Sequence, residues 1–353
     1  MMFQLLFLFM LGSNAINLTT ASNLRSDSDW LSNEWTKFVQ YQKDFGKNYA
    51  SLDELEVRYH YFKNTLFTIA NHNLDKSQTF QMGINQFSDL SPEEFQIKYL
   101  GGFKQSNMTS LSIGAAACSK FTGTPGKMLP NAVDWTTLGK TTAVKDQGYC
   151  GSCWSFSAAE AIESAWAIRK GQLLTLSEQQ LVDCSKKYGN MGCNGGLMDS
   201  AFHYVMDNGL CLESAYPYTS GQTTVAGTCQ TTCQTAVTIS GCADTTPNNQ
   251  IVLKEAVSLG PVSIAIQADS KIFQSYTSGI ITGTSCGQTL DHGVVITGYG
   301  SGTPQENNVM YWKVRNSWSA NWGEAGYVRI ERSEKTNDAG TCGIAMQPSF
   351  PIV

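Results

Sequence analysis

Apolar and polar positions alternate in recognisable blocks along the 353-residue chain. Residues Trp30 to Asn73 carry a helical pattern that breaks near Phe45-Gly46. In the second half, Glu54, Arg58, Phe62, Thr65, Ile69 and Asn73 recur at steps of three and four, which puts them on one helix face with Glu54 one turn before Arg58. Gly83 to Asp89 reads as a short extended piece. Ser91-Pro92-Glu93-Glu94 reads as a capping box with proline at the first helical position. A second helical run covers Ala158 to Lys170, and a third covers Leu197 to Val205 and ends near Asn208-Gly209. Gly293 to Gly300 and Val309 to Val314 have buried-strand patterns, and the chain after Gly260 is strand-rich.

Composition narrows the picture. Hydrophobic residues make up 42% and charged residues 15%, a globular balance with enough length for more than one domain. A net charge of −5 gives no electrostatic reason to bind nucleic acid or an anionic membrane. Residues 16–128 hold 11 basic and 11 acidic side chains, so the acidic excess lies wholly beyond them. Phe3 to Leu11 is apolar except for Gln4, and Ser13-Asn14-Ala15 follows. That pattern predicts a secretory signal of residues 1–15, too short to span a bilayer. Eleven cysteines on an oxidising route imply disulfides. Ten follow Leu129, so one free nucleophile among them leaves at least one more unpaired. Asn17 and Asn107 head the two glycosylation sequons.

Candidate chemistry centres on Gln147-Gly-Tyr-Cys150-Gly-Ser-Cys153-Trp154. A cysteine at the first turn of a helix meets unpaired N–H groups and the positive dipole end, which favour the thiolate. Gln147 offers an amide donor to the same reacting carbonyl. Cys150-x-x-Cys153 is equally a redox dithiol, half a zinc site or two disulfide cysteines, and these four residues alone leave the choice open. A thiolate nucleophile needs a base, and there are four histidines. His60 and His72 lie in the N-terminal third, and His203 reads as a packing or surface residue of its helix. His292 heads a strand. Asn316, in Val314-Arg-Asn-Ser-Trp318, supplies an amide oxygen that can orient an imidazole, with Trp318 and Trp322 nearby to exclude water.

Cys153, His292 and Asn316, separated by 139 and 24 residues, resemble the Cys-His-Asn order of papain-like cysteine proteases. Cathepsin L-like members are the most similar group, by Leu129-Pro130, Val133-Asp134-Trp135 and Cys193-Asn-Gly-Gly-Leu-Met198. The helix face at 54–73 resembles the ERFNIN pattern of their propeptides, with Thr65 in place of an asparagine, and Gly83–Asp89 matches G-x-N-x-F-x-D. The resemblance implies an α+β, two-domain papain-like fold, one half helical and one β-barrel-like, behind a helical propeptide of residues 16–128 whose inhibitory domain spans about 34–95. The catalytic domain would run from 129 to 353, with 100–127 an exposed, cleavable linker.

It further implies a thioester endopeptidase needing no metal or cofactor, in which Cys153 attacks, His292 moves protons, Asn316 orients the ring and Gln147 holds the oxyanion. Substrate-binding positions would be Gly195, Gly196, Leu197, Met198 and Ala265, with Leu290, Asp291, Gly293, Trp318 and Gln347. The pocket for the P2 side chain is then mostly apolar, and Gln347 is its departure from cathepsin L-like enzymes. Disulfides Cys150–Cys193, Cys184–Cys229 and Cys286–Cys342 follow by resemblance, with Cys211–Cys233 a possible fourth. Cys242 is left over and Cys118 has no obvious partner. Expected partners are protein and peptide substrates, the chain's own propeptide and cystatin-type inhibitors, for a monomer of the lysosome, vacuole or extracellular space. Readings from other classes are an inhibitor built on the propeptide fold, which needs no intact triad, and an oxidoreductase, which needs Cys150 free.

Overall fold

The computed structural model describes residues 33–100, 118–283 and 285–353. The signal segment 1–15 and the sequons at Asn17 and Asn107 lie outside them. The chain forms two compact units, one from residues up to Ala70 with Ile84–Leu90, the other from Asn71–Gly83 with Ser91–Val353.

In the first unit, α1 (Asn33–Asp44) and α2 (Leu52–Leu74) meet through aromatic side chains. Trp35, Phe38 and Tyr41 of α1 pack on Leu55, Tyr59 and Phe62 of α2, with Tyr49 between the helices in sequence. Trp35 meets Tyr59 edge-on at 4.9 Å, and Phe38 lies 5.3 Å from Phe62. The face anticipated on α2 is mixed. Phe62 and Thr65 are buried, and Glu54 pairs with Arg58 at 3.6 Å. The Thr65 hydroxyl donates back to Tyr61 O at 3.0 Å, inside its own helix.

Residues 86–89, expected to be extended, form a turn instead. Asn85 is the reason, because its Oδ1 accepts from Phe87 N at 3.0 Å while Ser88 Oγ accepts from Asn85 N at 3.0 Å. The turn delivers Asp89 to Tyr41 (2.6 Å), Tyr49 (3.0 Å) and Lys47 (2.9 Å).

In the second unit, β1 (Phe80–Met82) precedes the capping box, which forms reciprocally between Ser91 and Glu94, each bond 3.1 Å. It starts α3 (Pro92–Phe95), which continues as a π-helical turn, Gln96–Leu100. The helical layer is α4 (Cys153–Lys170), α5 (Glu178–Cys184) and α6 (Met198–Asn208), around Trp154, Ala158, Ile162, Leu181, Phe202 and Val205. α4 starts at Cys153, five residues earlier than the apolar period, and is almost entirely buried to Ser164. Gly171 ends it at φ 76°, the left-handed conformation that glycine adopts without strain.

The sheet layer has strands β2 (Ser119–Phe121), β3 (Gly241–Thr245), β4 (Val262–Ile266), β5 (Tyr276–Ile281), β6 (His292–Ser301), β7 (Met310–Arg315), β8 (Tyr327–Glu331) and β9 (Ser349–Ile352). Their order is β1-β5-β8-β7-β6-β4-β9-β3-β2. β6 is central and buried along nine of its ten residues, as expected for a strand covered on both faces. α7 (Gln250–Leu259) is capped by Asn249, whose Oδ1 accepts from Val252 N at 3.1 Å.

Two sequence expectations are corrected here. Cys118 is disulfide-bonded to Cys242, so neither is left over. The end of the supposed linker is edge strand β2, paired in parallel with β3. The remaining bridges join Cys150–Cys193, Cys184–Cys229, Cys211–Cys233 and Cys286–Cys342. Among the described residues Cys153 is the one free cysteine.

Candidate active site

The start of α4 carries Cys153, the start of β6 carries His292 and the end of β7 leads into Asn316. The three are buried together. His292 Nε2 lies 2.8 Å from Asn316 Oδ1. The same Oδ1 accepts from Ser317 N at 2.8 Å, which fixes the amide's orientation. An amide oxygen only accepts, so the proton of the neutral imidazole sits on Nε2. Nδ1 is buried and has no hydrogen-bond partner among the described residues. Trp318 stacks on the imidazole at 4.6 Å, covering it from water. Gly293 N donates to Cys153 Sγ at 3.3 Å, tying the thiol to the residue after His292. A Cβ at Gly293 would come within 3.2 Å of Trp154 Cα and of Met198 Sδ, so glycine allows this approach of β6 to α4.

Electrostatics depart from the helix-terminus expectation. Burial pushes the Cys153 thiol up to about 12, and the N–H groups of Gly293 and Trp154 offset only part of it. Burial likewise pushes His292 down to about 4 against the bond to Asn316. The backbone N–H groups act with the expected sign, but removal of water outweighs them. Between these values both groups are neutral. Asp291, whose carboxylate accepts from Ala268 N at 2.7 Å, is pushed up to about 7 by burial.

Gln147 is wholly buried, and both amide ends are engaged. Its Oε1 accepts from Ser317 Oγ at 2.7 Å. Its Nε2 donates to Cys150 O at 2.9 Å and to Tyr99 O at 2.7 Å. Tyr99 belongs to the π-helical turn after α3, and its ring packs 5.3 Å from Phe95 and 5.6 Å from Tyr149. Phe95 in turn meets Trp318 edge-on at 5.3 Å. Sequence reasoning did not single out Tyr99 or Ser317. The signal for Tyr99 was present in the aromatic pair Phe95 and Tyr99, four residues apart directly after the capping box.

Two turns along α4 from Cys153, Glu160 and Glu163 face a second buried cluster. Arg315, the residue before Asn316, pairs with Glu160 at 3.1 Å and donates to Thr142 O at 2.9 Å. Lys145 pairs with Glu163 at 2.6 Å and also with Glu178. Burial works against the charge on Lys145, but Glu163 and Glu178 hold it above the usual lysine range. Burial raises Glu160 to about 7 despite Arg315 and Lys145. This cluster locks the helix bearing Cys153 to the strand that leads into Asn316.

Of the positions expected to bind substrate, Gly195 has φ 109°, and a Cβ on Gly196 would come within 2.6 Å of Asn190 Oδ1 and 2.5 Å of the Trp154 ring. Leu197, Met198 and Gln347 line one cavity of about 270 Å3. Ala265 and Leu290 are core residues beside Met198 and do not line it. Asp199, Asp244, Thr245 and Met346 do line it, a more polar wall than the sequence suggested. Burial raises both carboxyls, Asp244 to about 7 with Asp199 adding to the effect. His203 lies on α6 with Nε2 3.9 Å from Cys242 Sγ, away from Cys153's partners.

The candidate site thus gathers a buried thiol at a helix start, an imidazole fixed by an amide and a carbonyl lodged on a neighbouring amide. The family model for papain family cysteine proteases matches residues 129–352, and that for the cathepsin propeptide inhibitor domain matches residues 38–95. Germination-specific cysteine protease 1 of Arabidopsis thaliana is 42% identical over 339 residues, covering 93% of this chain and 88% of the relative. Digestive procathepsin L 3 of Tenebrio molitor larval midgut superposes with a TM-score of 0.77 at 37% identity, covering 91% of this chain and all of that one. The proform of the ragweed pollen allergen Amb a 11 gives 0.81 at 34% identity, with coverages of 93% and 98%. The chain belongs to the papain family of cysteine proteases and is made as a proenzyme with its own inhibitory propeptide domain.

Proposed function

We propose that the enzyme hydrolyses peptide bonds within protein chains through a thioester on Cys153. Exposing the site to water lowers the desolvation cost, and the Cys153 proton passes to His292 Nδ1. The thiolate attacks the scissile carbonyl, and the oxyanion is held by the Gln147 amide and the Cys153 backbone N–H. His292 gives its proton to the departing amine, which leaves with the C-terminal part of the substrate. It then takes a proton from water, whose oxygen attacks the thioester and frees the acyl group and the thiol. Asn316 orients the ring throughout, while Arg315 and its partners keep Asn316 in register with α4.

The observation that carries this reading is the Tyr99 carbonyl bonded to Gln147 Nε2 at 2.7 Å, beside a neutral, water-excluded thiol and imidazole. A carbonyl of the chain itself stands where a substrate carbonyl would be polarised. The turn Gln96–Leu100, which follows the inhibitory domain at about 34–95, then acts by occupying this place, and the catalytic domain runs from Leu129. Gly195 and Gly196 offer backbone to an extended substrate. The cavity at Leu197, Met198 and Gln347 takes an apolar P2 side chain against Leu197, Met198 and Met346. The same reading extends to inhibition by cystatin-type proteins and to a monomeric enzyme of the secretory route, in a lysosome, a vacuole or outside the cell.

The test is mass spectrometry of the protein after a shift to pH ~4–5 with an epoxide that alkylates active-site thiols, followed by a P2 library. An adduct confined to Cys153 and a preference for Leu, Val or Phe at P2 are expected. No adduct on Cys153 removes the mechanism, and Arg ahead of every apolar P2 residue removes the pocket reading.

A further inference from the structure

Residues 118–128 lie between the two family matches, which end at 95 and resume at 129. Their contacts are nevertheless those of a built-in element. Cys118 is bonded to Cys242 on β3. Ser119, Lys120 and Phe121 align in parallel with Ala243, Asp244 and Thr245. The Ser119 hydroxyl donates to Cys242 O at 3.0 Å, and Thr246 N donates to Phe121 O at 3.2 Å. Phe121 packs edge-on against Phe350 of β9 at 5.4 Å.

The stretch then turns at Gly123, where φ is 70° and a Cβ would come within 2.8 Å of Glu255 Oε2. That same carboxylate of α7 accepts from Thr124 N at 2.7 Å, and its other oxygen pairs with Lys127 at 3.1 Å. Pro130 O accepts from the Tyr299 hydroxyl at 3.1 Å, which continues the attachment past 128.

The geometry points to a maturation that leaves Cys118 on the enzyme: we propose that residues 118–128 stay joined to the catalytic domain through Cys118–Cys242. A cut just before Leu129 therefore does not release the N-terminal part, because everything covalently continuous with Cys118 remains bound through sulfur. Release requires a cut N-terminal to Cys118, and the product is then a catalytic domain that begins with an edge strand. A single further cut between 121 and 129 adds one water and gives a two-chain enzyme still joined by the disulfide. The strand also covers the outer edge of β3, whose Asp244 and Thr245 line the cavity at Gln347. The inference rests on the proenzyme reading but not on the catalytic roles of individual residues.

The full-length protein is activated in acid, free thiols are blocked at the same pH with N-ethylmaleimide, and intact mass is read with and without reductant. In parallel, the Cys153→Ala chain is processed in trans by active enzyme and mapped without reduction, so failed catalysis does not hide the result. We expect a Cys118 peptide linked to Cys242 and no maleimide on Cys242. With reductant, either the mass is unchanged apart from reduction or a short peptide containing Cys118 separates. An active, non-reduced enzyme that lacks Cys118 and carries maleimide on Cys242 overturns the proposal. The Cys118→Ser/Cys242→Ser double variant avoids a stray thiol, and in it a cut before Leu129 should release the segment under denaturing conditions without reductant. Continued retention in that variant also overturns the covalent account.

Discussion

One helix, α4, bears two buried polar clusters of opposite design. At its first turn, Cys153, His292, Asn316 and Gln147 are uncharged, and His292 Nδ1 and Asn316 Nδ2 have no hydrogen-bond partner among the described residues. Two turns on, Glu160 and Glu163 meet Arg315 and Lys145, and every charge faces an opposite one. Both are taken out of water, but only the second is compensated on the spot. A site that must accept protons and a carbonyl keeps its groups neutral, whereas the brace sets each charge against an opposite one, with Glu160 Oε1 and Arg315 Nε still lacking a hydrogen-bond partner among the described residues. The same desolvation that makes the brace costly to break holds the thiol and imidazole neutral.

The sharpest break is chemical. Cys153→Ala should lower kcat/KM by at least about 10^4-fold with little change in Tm, because a small buried thiol is lost without stranding a charge. Asn316→Ala is expected to lower kcat by roughly 10^2-fold through a loosened imidazole, with KM nearly unchanged. Alkylation of Cys153 by iodoacetamide sharpens the closed-state reading. With the thiol at about 12 and His292 at about 4, the proenzyme should react on the order of 10^2-fold more slowly than activated enzyme at pH 5–7, and faster as pH rises. Equal rates before and after activation would contradict a desolvated pair.

The brace answers to a different measurement. Lys145→Met leaves Glu163 and Glu178 buried without their cation and should cost about 3–5 kcal/mol in denaturant unfolding. The pH dependence has a definite sign. Burial raises Glu178 in the folded state, so the folded chain binds its proton more tightly than the unfolded one. Stability from such a group falls as pH rises above the ordinary carboxyl value, and without Lys145 the loss should be smaller at pH 4.5 than at pH 7. The smallest effect is expected in the propeptide domain. Asp89 accepts from Tyr41, Tyr49 and Lys47, and Asp89→Asn should cost about 1 kcal/mol in denaturant unfolding of that domain. An unchanged unfolding midpoint would remove Asp89 as the anchor of that turn.

Much of this was local and therefore legible. The capping box at Ser91, the break near Gly46, the helix ends at Gly171 and Gly209 and the buried strands at 293–300 and 309–314 all rest on neighbours within a few residues. The chemistry at Cys153, His292 and Asn316 was readable because residue types in a fixed order limit what they can do together. Three things were not readable. The sign of the thiol shift depends on how much water the surroundings exclude, which no spacing encodes. The Thr65 hydroxyl and Asn85 Oδ1 bond within their own segments, where the sequence pattern suggested a contact face and an extended piece. The bond between Cys118 and Cys242 needed a parallel strand pairing across 124 residues to bring the sulfurs together. By itself the sequence determined the segments and the chemical repertoire, because backbone periodicity and side-chain reactivity are local. Tertiary structure alone decided burial, long-range pairing and which carbonyl rests on Gln147, because each depends on groups that meet only once the chain is packed.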